Sequence, residues 1–181
     1  MFGLWQTAEH KEKARETKAK EEALLNAARD GKLAAVISAL NDRVNIECYD
    51  STGWTPLLKA AMCDRLEIVR FLLEKGANIE AKSTFLNTPL HYASQNNHVE
   101  TVRLLLAYGA NVNATNYWNH TPLMAAQEKG RVQVQELLQT AMLAKALREK
   151  RILDANSLLR QEAINVNHQE PVHMPRKAAL F

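Results

Sequence analysis

Two cysteines in 181 residues leave no basis for a disulfide framework, and Cys48 and Cys63 lack the spacing of a zinc site. They read as two reduced thiols, which predicts a cytoplasmic protein, with the nucleus or a host-cell cytosol also compatible. No run of 18 apolar residues occurs, so no membrane-spanning helix is expected. The start, Met-Phe-Gly-Leu-Trp and then a charged stretch, lacks the basic flank and long apolar segment of a secretory signal. Charge of one sign is missing too. Lys and Arg number 23 against 20 Asp and Glu, a net +3, which is too mild to predict nucleic-acid binding. The excess lies at the C-terminal end, with seven basic and four acidic residues from Ala141 onward. The remainder, 46% apolar and 24% charged, is the composition of a folded chain rather than a disordered one.

What the chain does contain is repetition. Thr-Pro-Leu stands at Thr55, Thr88 and Thr121, two steps of 33 residues, and one step back from Leu57 reaches Leu24. Other columns keep the same period: Ala27, Ala60, Ala93 and Ala126; Leu33, Leu66, Val99 and Val132; Asn45, Asn78 and Asn111. The column Val36, Val69, Val102 lapses at Gln135. A further column, Gly31, Asp64, Asn97, Gly130, holds only residues that visit the left-handed region readily, which predicts a shared tight turn.

The second unit shows the expected local structure. Thr55 caps a short helix from about Pro56 to Cys63, with proline at a position whose amide has no intrahelical partner. Asp64 and Arg65 turn the chain into a second helix, about Leu66 to Lys75, with Ile68, Val69, Leu72 and Leu73 at helical spacing. Gly76 ends it, and residues 77–87 carry an extended loop. Two such helices cannot bury their apolar faces alone, but stacked copies can, so the array reads as a quasi-linear solenoid.

These residues resemble the ankyrin repeat. Thr88-Pro89-Leu90-His91-Tyr92-Ala93 is similar to its signature, and residues 104–114, Leu-Leu-Leu-Ala-Tyr-Gly-Ala-Asn-Val-Asn-Ala, to the end of its unit. The likeness covers roughly residues 23–141. It implies an all-α solenoid of helix–turn–helix units with short hairpin fingers, and a hydrogen-bonded core role for His91. There are departures. The signature histidine is Leu58 and Met124 in the other full copies, and Arg43 stands where Gly76 and Gly109 end their helices. The finger glycine, Gly53, is replaced by Leu86 and Asn119. Asn119 tolerates a left-handed turn, whereas Leu86 predicts an irregular second finger.

The resulting organisation is an N-terminal helical extension over 1–22, a capping repeat over 23–48, repeats over 49–81, 82–114 and 115–141, a C-terminal helical cap over 142–164 and a loosely ordered tail over 165–181. The extension holds five acidic and five basic side chains over residues 9–22, with Glu9–Lys13 and Glu16–Lys20 at helical i, i+4 spacing. In the cap, Met142–Lys150 and Ile152–Arg160 are read as a further helix pair.

No catalytic constellation is evident. The six histidines form no ligand pair, five of the six glycines sit at repeat turns and leave no phosphate loop, and Cys63 has no histidine partner in sequence. The chain is therefore expected to be no enzyme, with no cofactor, no metal and no small-molecule substrate. A protein or peptide partner is expected instead, on a chain that is monomeric alone. The variable columns are those the stack does not need. In the fingers they are Tyr49, Ser51, Thr52 and Trp54; Lys82, Thr84, Phe85 and Asn87; Thr115, Tyr117, Trp118 and His120. At the ends of the first helices they are Met62 and Cys63, Gln95 and Asn96, Glu128 and Lys129. The resemblance implies that these line one concave binding face. Aromatics are only 6% of the chain, yet Tyr49, Trp54, Phe85, Tyr117 and Trp118 all fall in fingers, where folding does not ask for them. They are expected to be anchors for a partner, unless some pack sideways on a neighbouring finger or under the end of a first helix, Phe85 above all. A role as a secreted bacterial effector acting through the same face on a host protein is the alternative, and self-association through the rings another. Phe2, Leu4 and Trp5, and the terminal Ala179-Leu180-Phe181, are weaker docking candidates.

Overall fold

The computed structural model describes the backbone of residues 2–167 and the side chains of residues 10–153 and Asn156. Among the described residues it contains eight helices and no strand. In chain order they are α1 (Phe2–Asp30), α2 (Leu33–Asn41), α3 (Pro56–Met62), α4 (Leu66–Glu74), α5 (Pro89–Gln95), α6 (Val99–Ala107), α7 (Pro122–Glu128) and α8 (Val132–Asn167). The chain forms two compact units, Met1–Met142 and Leu143–Phe181, with the boundary inside α8.

In the first unit α1, α3, α5 and α7 pack as an inner row, and α2, α4 and α6 pack behind them as an outer row. Periodicity explains the arrangement: Leu24, Leu57 and Leu90 on the inner row, and Val36, Val69, Val102, Leu72, Leu105 and Leu138 on the outer helices, are all essentially inaccessible. Each buried leucine or valine of this kind stabilises the fold by roughly 1.5–3 kcal/mol. The repeat units are stapled to one another in register. Arg65 Nε donates to the Arg29 carbonyl at 2.9 Å, His98 Nε2 lies 2.9 Å from the Met62 carbonyl, and Arg131 Nε donates to the Gln95 carbonyl at 3.1 Å. One column thus serves the last carbonyls of each preceding inner helix, groups that a helix end leaves without partners. A second staple runs through the loops, where the Glu47 and Glu80 carboxylates accept from the Asn78 and Asn111 amides, both at 2.7 Å.

The left-handed turns fall where the columns place them, with φ of +83° at Gly31, +53° at Asp64, +63° at Asn97 and +62° at Gly130. Two expectations are corrected. The second finger is regular: Leu86 adopts φ +58°, the same as Asn119, and both fingers close with the same pair of backbone bonds. The helix pair expected at Met142–Lys150 and Ile152–Arg160 is one uninterrupted helix, α8. Aligning the cap on the first unit puts Lys150 in the column of Gly31, and a lysine flanked by strong helix formers has no reason to leave the helix there. The extension over 1–22 likewise joins the first repeat without a break, as α1. Residues 168–181 of the expected tail, and the side chains of Phe2, Leu4 and Trp5, lie outside the described residues.

Candidate functional site

Three finger tips and the ends of the inner helices are the surfaces that repetition leaves free. Each finger is a tight turn organised by one column: Asp50, Ser83 and Asn116. Asp50 Oδ1 accepts from the Thr52 amide, the Thr52 hydroxyl and the Trp54 amide, at 2.9, 2.6 and 3.1 Å. Asn116 Oδ1 accepts from the Trp118 and His120 amides, each at 3.0 Å. Burial opposes the Asp50 charge, but the ion pair to Lys59 at 2.6 Å and the turn amides outweigh it and hold this carboxyl well below the usual range. The Ser83 hydroxyl is engaged elsewhere, accepting from the Tyr92 hydroxyl at 3.0 Å. This column was legible as turn-forming residues at a fixed offset, although the sequence reading did not single it out.

The rings sort into three groups. Phe85 and Trp118 stack with centroids 5.4 Å apart, and Tyr117 stands edge-on to Trp118 at 5.7 Å. The Tyr117 amide donates to the Phe85 carbonyl at 3.0 Å, tying the second tip to the third. The three rings are 54%, 69% and 53% exposed for Phe85, Tyr117 and Trp118, with Leu86 beside them at 41%. Phe85 does pack on its neighbour, yet half of it still faces solvent. Tyr49, 71% exposed, pairs with no other ring among the described residues. It lines a groove of about 850 Å³ between α1 and the first finger, together with Lys18, Glu21, Glu22, Leu25 and Asp50. Nothing in the sequence marks this groove, because α1 was expected only as a solvated extension.

Trp54 departs from the expected row of exposed anchors. It is half-buried, tilted against Tyr92 at 4.4 Å, and sits in a small cluster with Leu58, Ala81 and Met62, with the Lys59 ammonium 5.9 Å from its ring centre. Tyr92 offers a flat face one repeat further on, and burying an indole there gains more than exposing it. The row of five rings is therefore a cluster of three, a separate Tyr49 and a structural tryptophan.

The remaining candidates take varied positions. Ser51, Thr52, Lys82, Thr84 and Thr115 are exposed on the fingers, and Asn96, Glu128 and Lys129 at the helix ends. Asn87 accepts from the Asn116 side chain at 2.9 Å, and His120 Nδ1 meets the Glu128 carboxylate at 2.9 Å. Met62, Cys63 and Gln95 are partly covered, and Asn96 Nδ2 reaches the Met62 carbonyl at 3.4 Å. Cys48 is buried, and that burial, with Glu21 and Glu47 nearby, pushes its thiol up to about 12. Its Sγ lies 3.8 Å from the Glu21 carbonyl. Among the described residues no group of His, Cys, Asp and Glu side chains could hold a metal ion, and no helix is long and apolar enough to cross a membrane.

A stack of helix pairs with hydrogen-bonded fingers along one side defines a helical repeat protein, a class built around an extended surface rather than a cavity. The family described as "Ankyrin repeats (3 copies)" matches residues 4–83 and again 82–148, and the chain belongs to it. Among curated proteins none matches the chain. Ankyrin repeats are in general protein-binding modules and typically non-catalytic.

Proposed function

We propose that this chain recognises another protein or peptide through the finger-lined face, with Phe85, Tyr117 and Trp118 as the central anchors. The observation that carries the reading is three rings more than half exposed and locked against one another across two fingers. Exposed rings on a short turn cost solvation, and aromatic anchors that are already held in place lose little side-chain entropy on association. Around them Lys82, Thr84, Thr115 and the His120–Glu128 pair supply a polar rim, and Tyr49 with the α1 groove extends the surface toward the first repeat. Trp54 acts underneath, fixing the first finger on Tyr92.

Two single substitutions separate the roles. Trp118→Ala is expected to leave the melting temperature within a few degrees of the parent while abolishing partner capture, a loss on the order of 2 kcal/mol or more in affinity. Trp54→Ala is expected to lower stability by about 3 kcal/mol and to affect binding only through the finger. Affinity capture followed by quantitative mass spectrometry, with thermal melts on the same preparations, reads both. An unchanged set of captured proteins with Trp118→Ala would remove the anchor role.

A further inference from the structure

We propose that residues 143–153 of α8 form a second docking site, for an acidic protein that closes around a helix from two sides, as calcium-loaded EF-hand sensors do. Four large apolar side chains stand in solvent on this stretch: Leu143 at 62%, Leu147 at 55%, Ile152 at 59% and Leu153 at 69%. Between them Lys145, Arg148, Lys150 and Arg151 are all exposed, against one acid, Glu149. A surface helix that merely needs solubility places its charges outward and its leucines inward. This one offers both, and its basic excess calls for an acidic partner.

The geometry selects among acidic partners. At about 100° per residue, Leu143 and Leu147 lie within roughly 40° of each other, whereas Ile152 is roughly 180° from Leu143. A flat anionic surface such as a lipid headgroup layer could bury one of these sides only. A two-lobed clamp buries both sides, spaced by about 13 Å along the axis, and its acidic lobes complement the net basic charge of the stretch. Calcium opens methionine-rich grooves of this kind in EF-hand sensors, and methionine adapts to leucine and isoleucine anchors without a fixed mould.

Calmodulin titrated into the full-length chain by isothermal calorimetry tests the proposal. Saturable binding is expected with calcium and none with a calcium chelator. Leu147→Glu and Ile152→Glu should each weaken it roughly tenfold or more, since each removes a buried anchor on a different side. Trp118→Ala should leave it unchanged, which separates this site from the fingers. Far-UV circular dichroism of the variants should match the parent, because both side chains are exposed in the fold. No binding to calcium-loaded calmodulin overturns the proposal, as does binding that Ile152→Glu does not affect. Binding only to phosphatidylserine vesicles, sensitive to Leu147→Glu and indifferent to Ile152→Glu, overturns it in favour of a membrane surface.

Discussion

His91 shows how much chemistry a single repeat position can hold. It is 1% exposed, its Nδ1 faces the Thr88 amide at 3.2 Å and the Thr88 hydroxyl at 2.9 Å, and its Nε2 lies 2.9 Å from the His120 carbonyl. An amide only donates and a carbonyl only accepts, so these partners assign the neutral ring with its proton on Nε2. A protonated ring would turn a second N–H toward the Thr88 amide. Burial pushes this imidazole below its usual value, against the His120 carbonyl, which favours the charge. Between the lowered folded pKa and the ordinary 6.5, the unfolded chain binds the extra proton. The stability His91 contributes is therefore complete above 6.5 and is lost as pH falls toward the folded value. His91→Leu, which installs the residue that Leu58 supplies one repeat earlier, is expected to flatten the fall in stability between neutral and mildly acidic pH. It should also cost about 1–3 kcal/mol at pH 7.5, because the Thr88 amide and the His120 carbonyl lose their partner. Urea unfolding of both chains across that range measures the two effects, and identical pH slopes would show that another group sets the acid sensitivity. The histidine's place was legible from its motif. Its hydrogen bond to the next finger was not, since His120 lies 29 residues on and its carbonyl has no sequence signal.

At the scale of the element, the finger imposes its turn on whichever residue the sequence provides. Gly53, Leu86 and Asn119 share one column with φ of +73°, +58° and +58°, and the three fingers close with equivalent backbone bonds. Leucine is a poor resident of that region, so the sequence pointed to an irregular second finger. Tertiary packing prevailed: Tyr117 bonds to the Phe85 carbonyl from one side, and the Thr84 amide approaches Gly53 so closely that a Cβ there would sit 3.3 Å from it. Leu86 keeps the turn and bears its strain while its side chain stays 41% exposed. Leu86→Gly should therefore stabilise the chain, by about 0.5–1 kcal/mol once the greater freedom of an unfolded glycine is subtracted. The midpoint of urea unfolding reads the change, and a destabilised glycine variant would mean that the leucine side chain contributes more packing than its exposure implies. The opposite outcome holds in α8. There no neighbouring repeat forces a turn at Lys150, local helix propensity decides, and the expected helix pair runs straight through. Column arithmetic locates turns only where packing or a permissive residue enforces them.

For the molecule as a whole, the repeat columns also mark where stacking gives out. Ala61 and Ser94 are inaccessible between inner helices, and Gln127 takes their column exposed; Leu73 and Leu106 are succeeded by an exposed Gln139. Leu58 and His91, at 0% and 1% exposure, give way to Met124 at 44%. Gln135, in the column of Val69 and Val102, turns its amide back onto the Ala126 carbonyl at 3.3 Å. Three glutamines thus replace small or apolar residues on the last face of the array, which makes that face compatible with water. The lapse at Gln135 was visible in the sequence, but its role as an edge became clear only with the burial of its predecessors. The apolar core reaches Leu138, with Ala141 and Met142 packed partly against it, while Leu143 and Leu147 stand mostly in solvent. In a nearest-neighbour stack, a helical stretch whose described side chains stand in solvent adds little to the cooperative unit. A chain ending at Met142 is therefore expected to unfold in one transition, with a melting temperature within a few degrees of the full-length protein. It should also keep the finger-dependent partner capture and lose any binding that depends on residues 143–153. Calorimetry of the two chains decides the point. A broad or strongly lowered transition in the shortened chain would show that α8 beyond Met142 stabilises the array, contrary to the division of labour drawn from its exposed leucines.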